Sequence, residues 1–474
     1  MERMSLQPGS GSGSDSGSGS EKRKKSYDSE INLVDDTPLK KGRREELSSE
    51  IPSKEKLLEA IPEMKQRIWS ECPDEQMDAM MHFTNLLGSI EPPRPIDEVI
   101  EAEVVPRFVQ FLDMYDKPDL QFEAVWSLTN IASGKSHHTR VVVEHGAVPL
   151  LVKLLILSNN EDVIEQVVWA ISNIAGESPK YRDLVLEEGV LLPLISLLGP
   201  PLPTMSMLLT TTWTLSNLVR GKPHVQFKQV EPLMPVLKTL IDMDNEEVLL
   251  NACSALYFLS NVSAGATQAI IEAEVCPKLV ELLLYSSDSV SLLALQTLGN
   301  IAAGNDAQTQ HVIDNQFLPP VRLLLFLTRE RNEIIFRKAC WAISNITAGN
   351  RTQIQAVIDA EIFPILVGFF CHHHADSDFD IKKEVVWAIT NATRRGSADQ
   401  IMDLADQGCA KPLTNNNEDR GNIFAERVDK CDGCRAMTRR REINERAVRI
   451  FKTLNFWAEN DLEDHMKLQD LGIW

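Results

Sequence analysis

The chain has 474 residues, of which 43% are hydrophobic and 24% charged, and its formal net charge is −20. Residues 1–56 carry 11 basic and 11 acidic side chains, whereas the rest carries 37 basic and 57 acidic ones, so the net negative charge lies after residue 56. Such an acidic body repels nucleic-acid phosphates and favours a basic protein partner. No apolar stretch reaches the roughly 20 residues of a membrane span, which predicts no membrane insertion. The scattered cysteines predict a reducing compartment, either cytoplasm, nucleus or both.

The first 56 residues have the composition of a flexible arm. Residues 8–20 are almost entirely Gly, Ser and Asp, which cannot bury enough surface to offset the entropy of ordering. We predict a disordered Gly/Ser-rich tail over residues 1–20 and a mostly disordered basic arm over residues 21–56. The basic residues of the arm form two clusters: Lys22, Arg23, Lys24 and Lys25, then Lys40, Lys41, Arg43 and Arg44.

A proline-led apolar helix signature recurs every 42 to 45 residues, at Pro106, Pro149, Pro193, Pro235, Pro277, Pro319 and Pro364. Proline suits the start of a helix because its missing N–H would be unpaired there. A longer helix follows and ends near a glycine, at Gly134, Gly176, Gly221, Gly304 or Gly349, which we expect to be left-handed. Three helices in such a period predict an all-α armadillo-repeat solenoid over residues 57–412.

The longer helix of most repeats carries a Trp and, four residues later, an Asn. The pairs are Trp126/Asn130, Trp169/Asn173, Trp213/Asn217, Trp341/Asn345 and Trp387/Asn391. Residues four apart share one helix face, so stacked repeats should align indoles and carboxamides as a ladder along one side of the solenoid. One such Trp is typical of a core, but five in matching register favour a binding groove for an extended peptide.

After Pro412 the period is lost. Residues 414–421 form a polar stretch where the next apolar helix should begin, and an amphipathic segment over residues 442–457 follows without partner helices. We predict a degenerate repeat remnant and tail over residues 413–474.

Residues 21–412 resemble the importin-alpha family of nuclear import adaptors, most specifically at residues 105–112, 122–134 and 340–351. The resemblance implies a right-handed superhelix whose groove holds lysine-rich nuclear localisation signals. It also implies an arm that binds importin-beta or folds back into the groove, and a protein that shuttles between cytoplasm and nucleus. Recycling by an exportin would use the last repeats, which makes it doubtful here.

The resemblance divides the groove into two sites. The major site comprises Trp126, Asn130, Gly134, Thr139, Gln166, Trp169, Asn173, Glu177, Trp213 and Asn217. The minor site comprises Trp341, Asn345, Glu384, Trp387 and Asn391. Carboxamides can hydrogen-bond the ligand backbone, and parallel indoles would form slots that attract Lys and Arg by roughly 0.5–2 kcal/mol each.

Several positions depart from the family pattern. Glu177 stands where the family has Asp, which keeps the charge on a longer side chain. The other departures are Thr210 for Asn, Ser254 for Trp, Asn251 for Asp and Gln296 for Arg. They predict altered peptide binding in the upstream half of the major groove and altered contacts to the linker of a bipartite signal. The arm is also less basic than the resemblance implies, which predicts weak importin-beta binding.

Other motifs favour plain structural roles. Trp69 and Trp457 lack the Asn partner and are expected to pack internally, and Trp474 lies in the tail. The run His372-His373-His374 and the pair Cys431/Cys434 lack the further ligands of a metal site. No phosphate loop, nucleophile elbow or His/Glu metal motif is present, so we predict no enzyme, cofactor or metal.

Two alternatives to an import adaptor stay open. The first is a divergent paralogue that binds cargo but transports it poorly, as a decoy or retention factor. The second is a generic armadillo scaffold for adhesion or signalling. The Trp/Asn ladder argues against the scaffold.

Overall fold

The structure, a computed structural model, describes residues 53–88, 94–329, 331–372 and 379–409. These ranges form helices and no strands, which confirms the all-α prediction. The predicted tail, most of the arm and the C-terminal remnant lie outside the described residues. The helices are α1 (Lys54–Glu59), α2 (Ile61–Ile68), α3 (Pro73–Gly88), α4 (Ile96–Glu101), α5 (Val105–Phe111), α6 (Pro118–Ala132), α7 (Ser136–Glu144), α8 (Ala147–Leu157), α9 (Glu161–Glu177), α10 (Pro179–Glu187), α11 (Leu191–Ser196), α12 (Met205–Val219), α13 (Phe227–Val230), α14 (Leu233–Ile241), α15 (Glu246–Ser260), α16 (Ala264–Glu272), α17 (Cys276–Leu282), α18 (Asp288–Ala302), α19 (Asp306–Asp314), α20 (Leu318–Thr328), α21 (Glu333–Thr347), α22 (Arg351–Asp359), α23 (Phe363–His372), α24 (Phe379–Arg395) and α25 (Ala398–Asp406).

Every third helix from α3 to α24 is a long one of 15 to 17 residues, and each long helix packs against the next. A proline helix and a short helix from each repeat complete the layer behind them. The buried side chains form one continuous hydrophobic cluster along the array. Because each repeat contacts mainly its neighbours, the long helices stand side by side and carry equivalent residues in register.

The left-handed residues do not lie where the sequence pattern placed them. Gly134, Gly304 and Gly349 have ordinary φ values, Gly176 lies inside α9, and only Gly221 of the predicted set has a positive φ. Instead, positive φ values occur just before six proline helices, at Glu103, Gly146, Gly189, Glu274, Gln316 and Glu361. In these six repeats the sharp bend therefore precedes the proline.

Gly304 and Gly349 are needed for space. Each precedes a capping box, Asn305/Gln308 in one repeat and Asn350/Gln353 in the next, and a Cβ on either glycine would overlap the side-chain oxygen of the capping Gln. The Nε2 of Gln353 also donates to the Asp306 carbonyl at 2.8 Å, which ties the two repeats together. Because glycine has no Cβ, the side chain of the capping Gln can lie against the backbone there and cap its helix.

The sequence pattern predicted that Trp69 packs internally, and this prediction is wrong. It is 45% exposed, and the Arg107 guanidinium lies 5.3 Å from its ring centroid. The free cysteines Cys253, Cys276 and Cys340 are buried. Burial raises the pKa of Cys253 and of Cys276 to about 12, so both stay protonated and behave as apolar groups.

Within the described ranges, no single helix is long and apolar enough to cross a membrane. One pair bent by 71°, Arg351–Asp359 with Phe363–Cys371, meets the length and composition criteria jointly.

Candidate peptide-binding groove

The five Trp/Asn pairs lie on long helices. The first three pairs occupy the consecutive helices α6, α9 and α12, and the last two occupy α21 and α24. Trp126, Trp213 and Trp341 are buried, whereas Trp169 and Trp387 are partly exposed. The structure therefore brings the predicted residues together in two groups, separated by α15 and α18.

The asparagines form a regular hydrogen-bonded row between repeats. The Nδ2 of Asn173 donates to the Thr129 carbonyl at 3.2 Å, and that of Asn217 donates to the Ser172 carbonyl at 3.2 Å. The same bond joins Asn345 to Gly299 at 3.2 Å and Asn391 to Ser344 at 2.9 Å. Each acceptor is the residue just before the ladder asparagine of the preceding repeat, or its counterpart. The Nδ2 of Asn217 also donates to the Ser172 hydroxyl at 3.0 Å, so the carboxamides tie each of these long helices to the one before it.

Three side chains of the first group keep unpaired polar atoms. Both amide atoms of Asn130 and of Gln166, and the Oδ1 of Asn217, are buried without a hydrogen-bond partner among the described residues. Buried polar groups in native proteins are normally paired, because an unpaired one costs about 1–3 kcal/mol. Their alignment along the groove suits the N–H and C=O groups of an extended chain.

The sequence predicted parallel indoles, but those of Trp169 and Trp213 are not parallel. Their ring centroids lie 6.4 Å apart, but their planes meet at 79°. The two rings line a pocket of about 160 Å³ together with Ser206, Leu209, Thr210 and Glu247. The sequence pattern missed Glu247. This residue lies at the start of α15, the next long helix after α12, which carries Trp213. An indole wall with a carboxylate beside it suits an aliphatic stem that ends in a cation.

Gly134 follows α6, Thr139 lies in α7 and Glu177 ends α9. The hydroxyl of Thr139 is buried and donates to the Ala132 carbonyl at 3.0 Å, so it fixes the end of α6. A Cβ at Gly134 would overlap the His138 ring, so glycine is required by space. Glu177 is the last residue of α9 and is partly buried.

The second group has its own buried acid. Glu384 lies on α24 and is fully buried, and its Oε2 accepts a hydrogen bond from the Ser344 hydroxyl at 3.5 Å. Trp341 packs tightly against α18, since a Cβ on Gly299 would overlap its ring. The sequence pattern missed two buried basic residues here, Arg337 and Lys338.

A separate cluster of possible metal ligands joins Asp97 of α4 to His137 and His138 of α7, with ligand atoms within 4.8 Å of one another. The Asp97 Oδ1 accepts hydrogen bonds from both histidines, at 2.9 and 2.8 Å, which lower its pKa to about 2. The Nδ1 of His138 accepts the Lys135 N–H at 2.9 Å, so its Nε2 must carry the proton. A metal at that nitrogen would displace the proton, so the cluster is better explained as a clamp between α4 and α7.

Comparison with known proteins identifies the family. The model of the Armadillo/beta-catenin-like repeat matches residues 92–133, 135–176, 263–303 and 350–394, which confirms the predicted repeat. Importin subunit alpha-4 of Arabidopsis thaliana is 44% identical over 453 residues, which cover 88% of this chain and 82% of that protein. This chain belongs to the importin-alpha family.

Two further comparisons bear on this importin-alpha chain. Importin subunit alpha-1b of Oryza sativa subsp. japonica is 54% identical over 356 residues, and the matched region spans 75% of this chain but only 65% of the relative. A crystal structure of an engineered protein shares 22% identity with a TM-score of 0.68, and covers 83% of this chain and 98% of its own. At that identity the second comparison supports the solenoid fold alone.

Within this importin-alpha solenoid, two of the positions that depart from the family pattern form internal side-chain hydrogen bonds. The hydroxyls of Ser254 and Ser216 lie 3.0 Å apart, and the Nδ2 of Asn251 donates to the Thr212 hydroxyl at 3.3 Å. Gln296 is buried, and Asn300, four residues later, donates to the Ser260 hydroxyl at 2.8 Å. Helices α15 and α18 thus present no indole, and they interrupt the ladder between the two groups.

Proposed function

We propose that the chain is a nuclear import adaptor, which binds lysine-rich localisation segments in its Trp/Asn groove and links them to importin-beta. The observation that carries the proposal is the row of interrepeat carboxamides beside indoles, with unpaired polar atoms at Asn130, Gln166 and Asn217. A row of carboxamides suits the N–H and C=O groups of a peptide backbone better than a small molecule. Its role would be binding, not catalysis.

Charge supports a basic ligand. The described region belongs to the part of the chain that carries 57 acidic and 37 basic residues. Glu247 borders the pocket between Trp169 and Trp213, and Glu177 ends α9. Acidic walls raise the local concentration of a cationic peptide and repel nucleic acid.

The remaining roles follow from family membership. The basic clusters over residues 22–25 and 40–44 would bind importin-beta, or occupy the major site when importin-beta is absent. The protein would then move between cytoplasm and nucleus with its cargo. Export by an exportin would depend on residues beyond 409, which the structure does not describe.

The major site is tested by Trp169→Ala. Trp169 borders the pocket with Trp213, so its loss should remove one wall of the slot and weaken a lysine-rich peptide at least tenfold, or about 1.4 kcal/mol. Fluorescence anisotropy with a labelled peptide measures this. Trp69→Ala is the matched control, because Trp69 is an exposed indole on the loop after α2, outside the ladder. Equal Kd values for the wild type and Trp169→Ala would contradict the site.

A decoy or retention factor is the second candidate. It is favoured by the interrupted ladder at Ser254 and Gln296, which removes indole contacts between the two groups. Import of a labelled cargo into permeabilised cells distinguishes the two, since an adaptor transports the cargo when importin-beta is added and a decoy retains it. Transport at the rate of a known importin-alpha would exclude the decoy.

A further inference from the structure

One set of residues places a charged or neutral side chain beside each ladder indole. The residue three positions before a ladder Trp lies one turn away on the same helix face. These residues are Glu123, Gln166, Thr210, Lys338 and Glu384. Four of the five are acidic or neutral, as a groove for basic peptides requires, and Lys338 is the exception.

Lys338 lies against the second group of the groove. Its side chain is only 6% exposed, and its Nζ lies 5.6 Å from the centroid of the Trp341 ring. An ammonium at that distance from an indole makes the contact that a ligand lysine would make. Thus the chain itself supplies a cation to the indole.

The charge of Glu384 also acts on Lys338. Burial and the neighbouring Arg337 lower the pKa of Lys338 and Glu384 raises it, with a net pKa of about 8. At neutral pH the lysine is therefore mainly charged and faces a fully buried carboxylate. The negative charge that would attract a ligand lysine is already offset.

The neighbouring residue repeats this pairing. Arg337 is 5% exposed, and its Nη1 lies 3.6 Å from the Asp380 carboxylate of α24. Helix α21 thus contributes two buried cations to its contact with α24, and each faces one acid of that helix. A second lysine entering here would meet two like charges at low dielectric.

We propose that Lys338 fills the cation subsite of Trp341 from within the chain, so that the minor site rejects lysine-rich segments and peptide recognition is confined to the major site. This inference rests on the proposed function, since it assumes that the groove binds basic peptides. It makes the chain selective for a single basic cluster: a peptide with two clusters gains nothing from the second.

The test counts peptides per chain. A ten-residue peptide with five consecutive lysines is titrated by calorimetry into the full-length wild type, Lys338→Glu and Lys338→Met. Lys338→Glu restores an acid to this set of residues, and Lys338→Met removes the charge while keeping the side-chain length. Lys278→Glu, on the proline helix α17, is the control for net charge.

We expect one peptide per chain for the wild type and for Lys278→Glu, and two for Lys338→Glu, with the added site at least tenfold tighter than in Lys338→Met. Adding Trp387→Ala to Lys338→Glu should return the count to one. Thermal unfolding checks that each variant folds. If Lys338→Glu does not fold, then Lys338→Met by itself must bind a second peptide.

Two peptides per wild-type chain, one peptide in every variant, or an added site that survives Trp387→Ala would overturn the inference and leave the major site intact. No peptide on any of the proteins, even when importin-beta is added to engage the arm, would instead overturn the proposed function itself.

Discussion

At the scale of single residues, one side chain often does two jobs. The ladder asparagines donate to the preceding repeat, and we propose that they also contact the ligand backbone. Loss of such an asparagine should therefore reduce both stability and peptide binding. Gln353 is similar, because it caps its own helix and donates to Asp306 of the preceding repeat.

Gly349→Ala tests the space requirement at a capping box. The added Cβ would overlap the Gln353 side chain, break its bond to the Asn350 N–H and cost about 0.5–2 kcal/mol of stability. Urea unfolding measures the change. Gly368→Ala is the control, since its Cβ would enter open space in α23 and should stabilise the protein by about 0.5–1 kcal/mol. A destabilisation of the same size at both glycines would refute the explanation.

At the scale of helices, polar contacts join the short helices and loops of neighbouring repeats. The clamp of Asp97 with His137 and His138 joins α4 to α7 across about 40 residues of sequence. Farther along, Arg182 of α10 is fully buried and donates to the carbonyls of Arg220, at 2.6 Å, and of Pro223, at 2.9 Å. Polar side chains thus stabilise loops through hydrogen bonds, in addition to the packing of the hydrophobic cluster.

The clamp predicts a loss of stability in acid. Asp97 has a folded pKa of about 2 against a usual 3.8, so its contribution is complete above about pH 4 and disappears as pH falls towards 2. The pKa of His138 is lowered, mainly by burial, so protonation below its usual 6.5 favours the unfolded chain in the same direction.

Asp97→Asn should therefore lower the Tm at pH 7, and the difference from wild type should narrow as the pH falls towards 2. Circular dichroism melts across this range measure it. Asp244→Asn, at an exposed aspartate in the loop between α14 and α15, serves as the control and should show no such narrowing. A difference that stays constant with pH would contradict the role of the carboxylate charge.

At the scale of the whole molecule, charge is divided between the arm and the solenoid. The first 56 residues are balanced, whereas the rest has an excess of acidic residues. A basic cluster tethered to an acidic groove would have a high effective concentration there, so we predict that the arm competes with any ligand that binds in trans.

Deleting residues 1–52 should therefore tighten binding of a lysine-rich peptide at least tenfold, measured by anisotropy. Replacing Lys40, Lys41, Arg43 and Arg44 with Ala in the full chain should give most of this gain, since that cluster is the better groove ligand. The same change at Lys22, Arg23, Lys24 and Lys25 is the matched control. Unchanged affinity after the deletion would show that the arm does not compete.

The sequence alone determined the repeat, the helical class and the candidate ladder residues, because proline spacing and Trp/Asn pairs are periodic and local. The tertiary structure decided features that join distant residues: the steep angle between Trp169 and Trp213, the place of Glu247 on the pocket wall, and the His/Asp clamp. The charge of Lys338 was visible in the sequence, but its contact with Trp341 and its burial were not. Spacing along one helix reveals which residues share a face, whereas packing between helices decides which atoms meet.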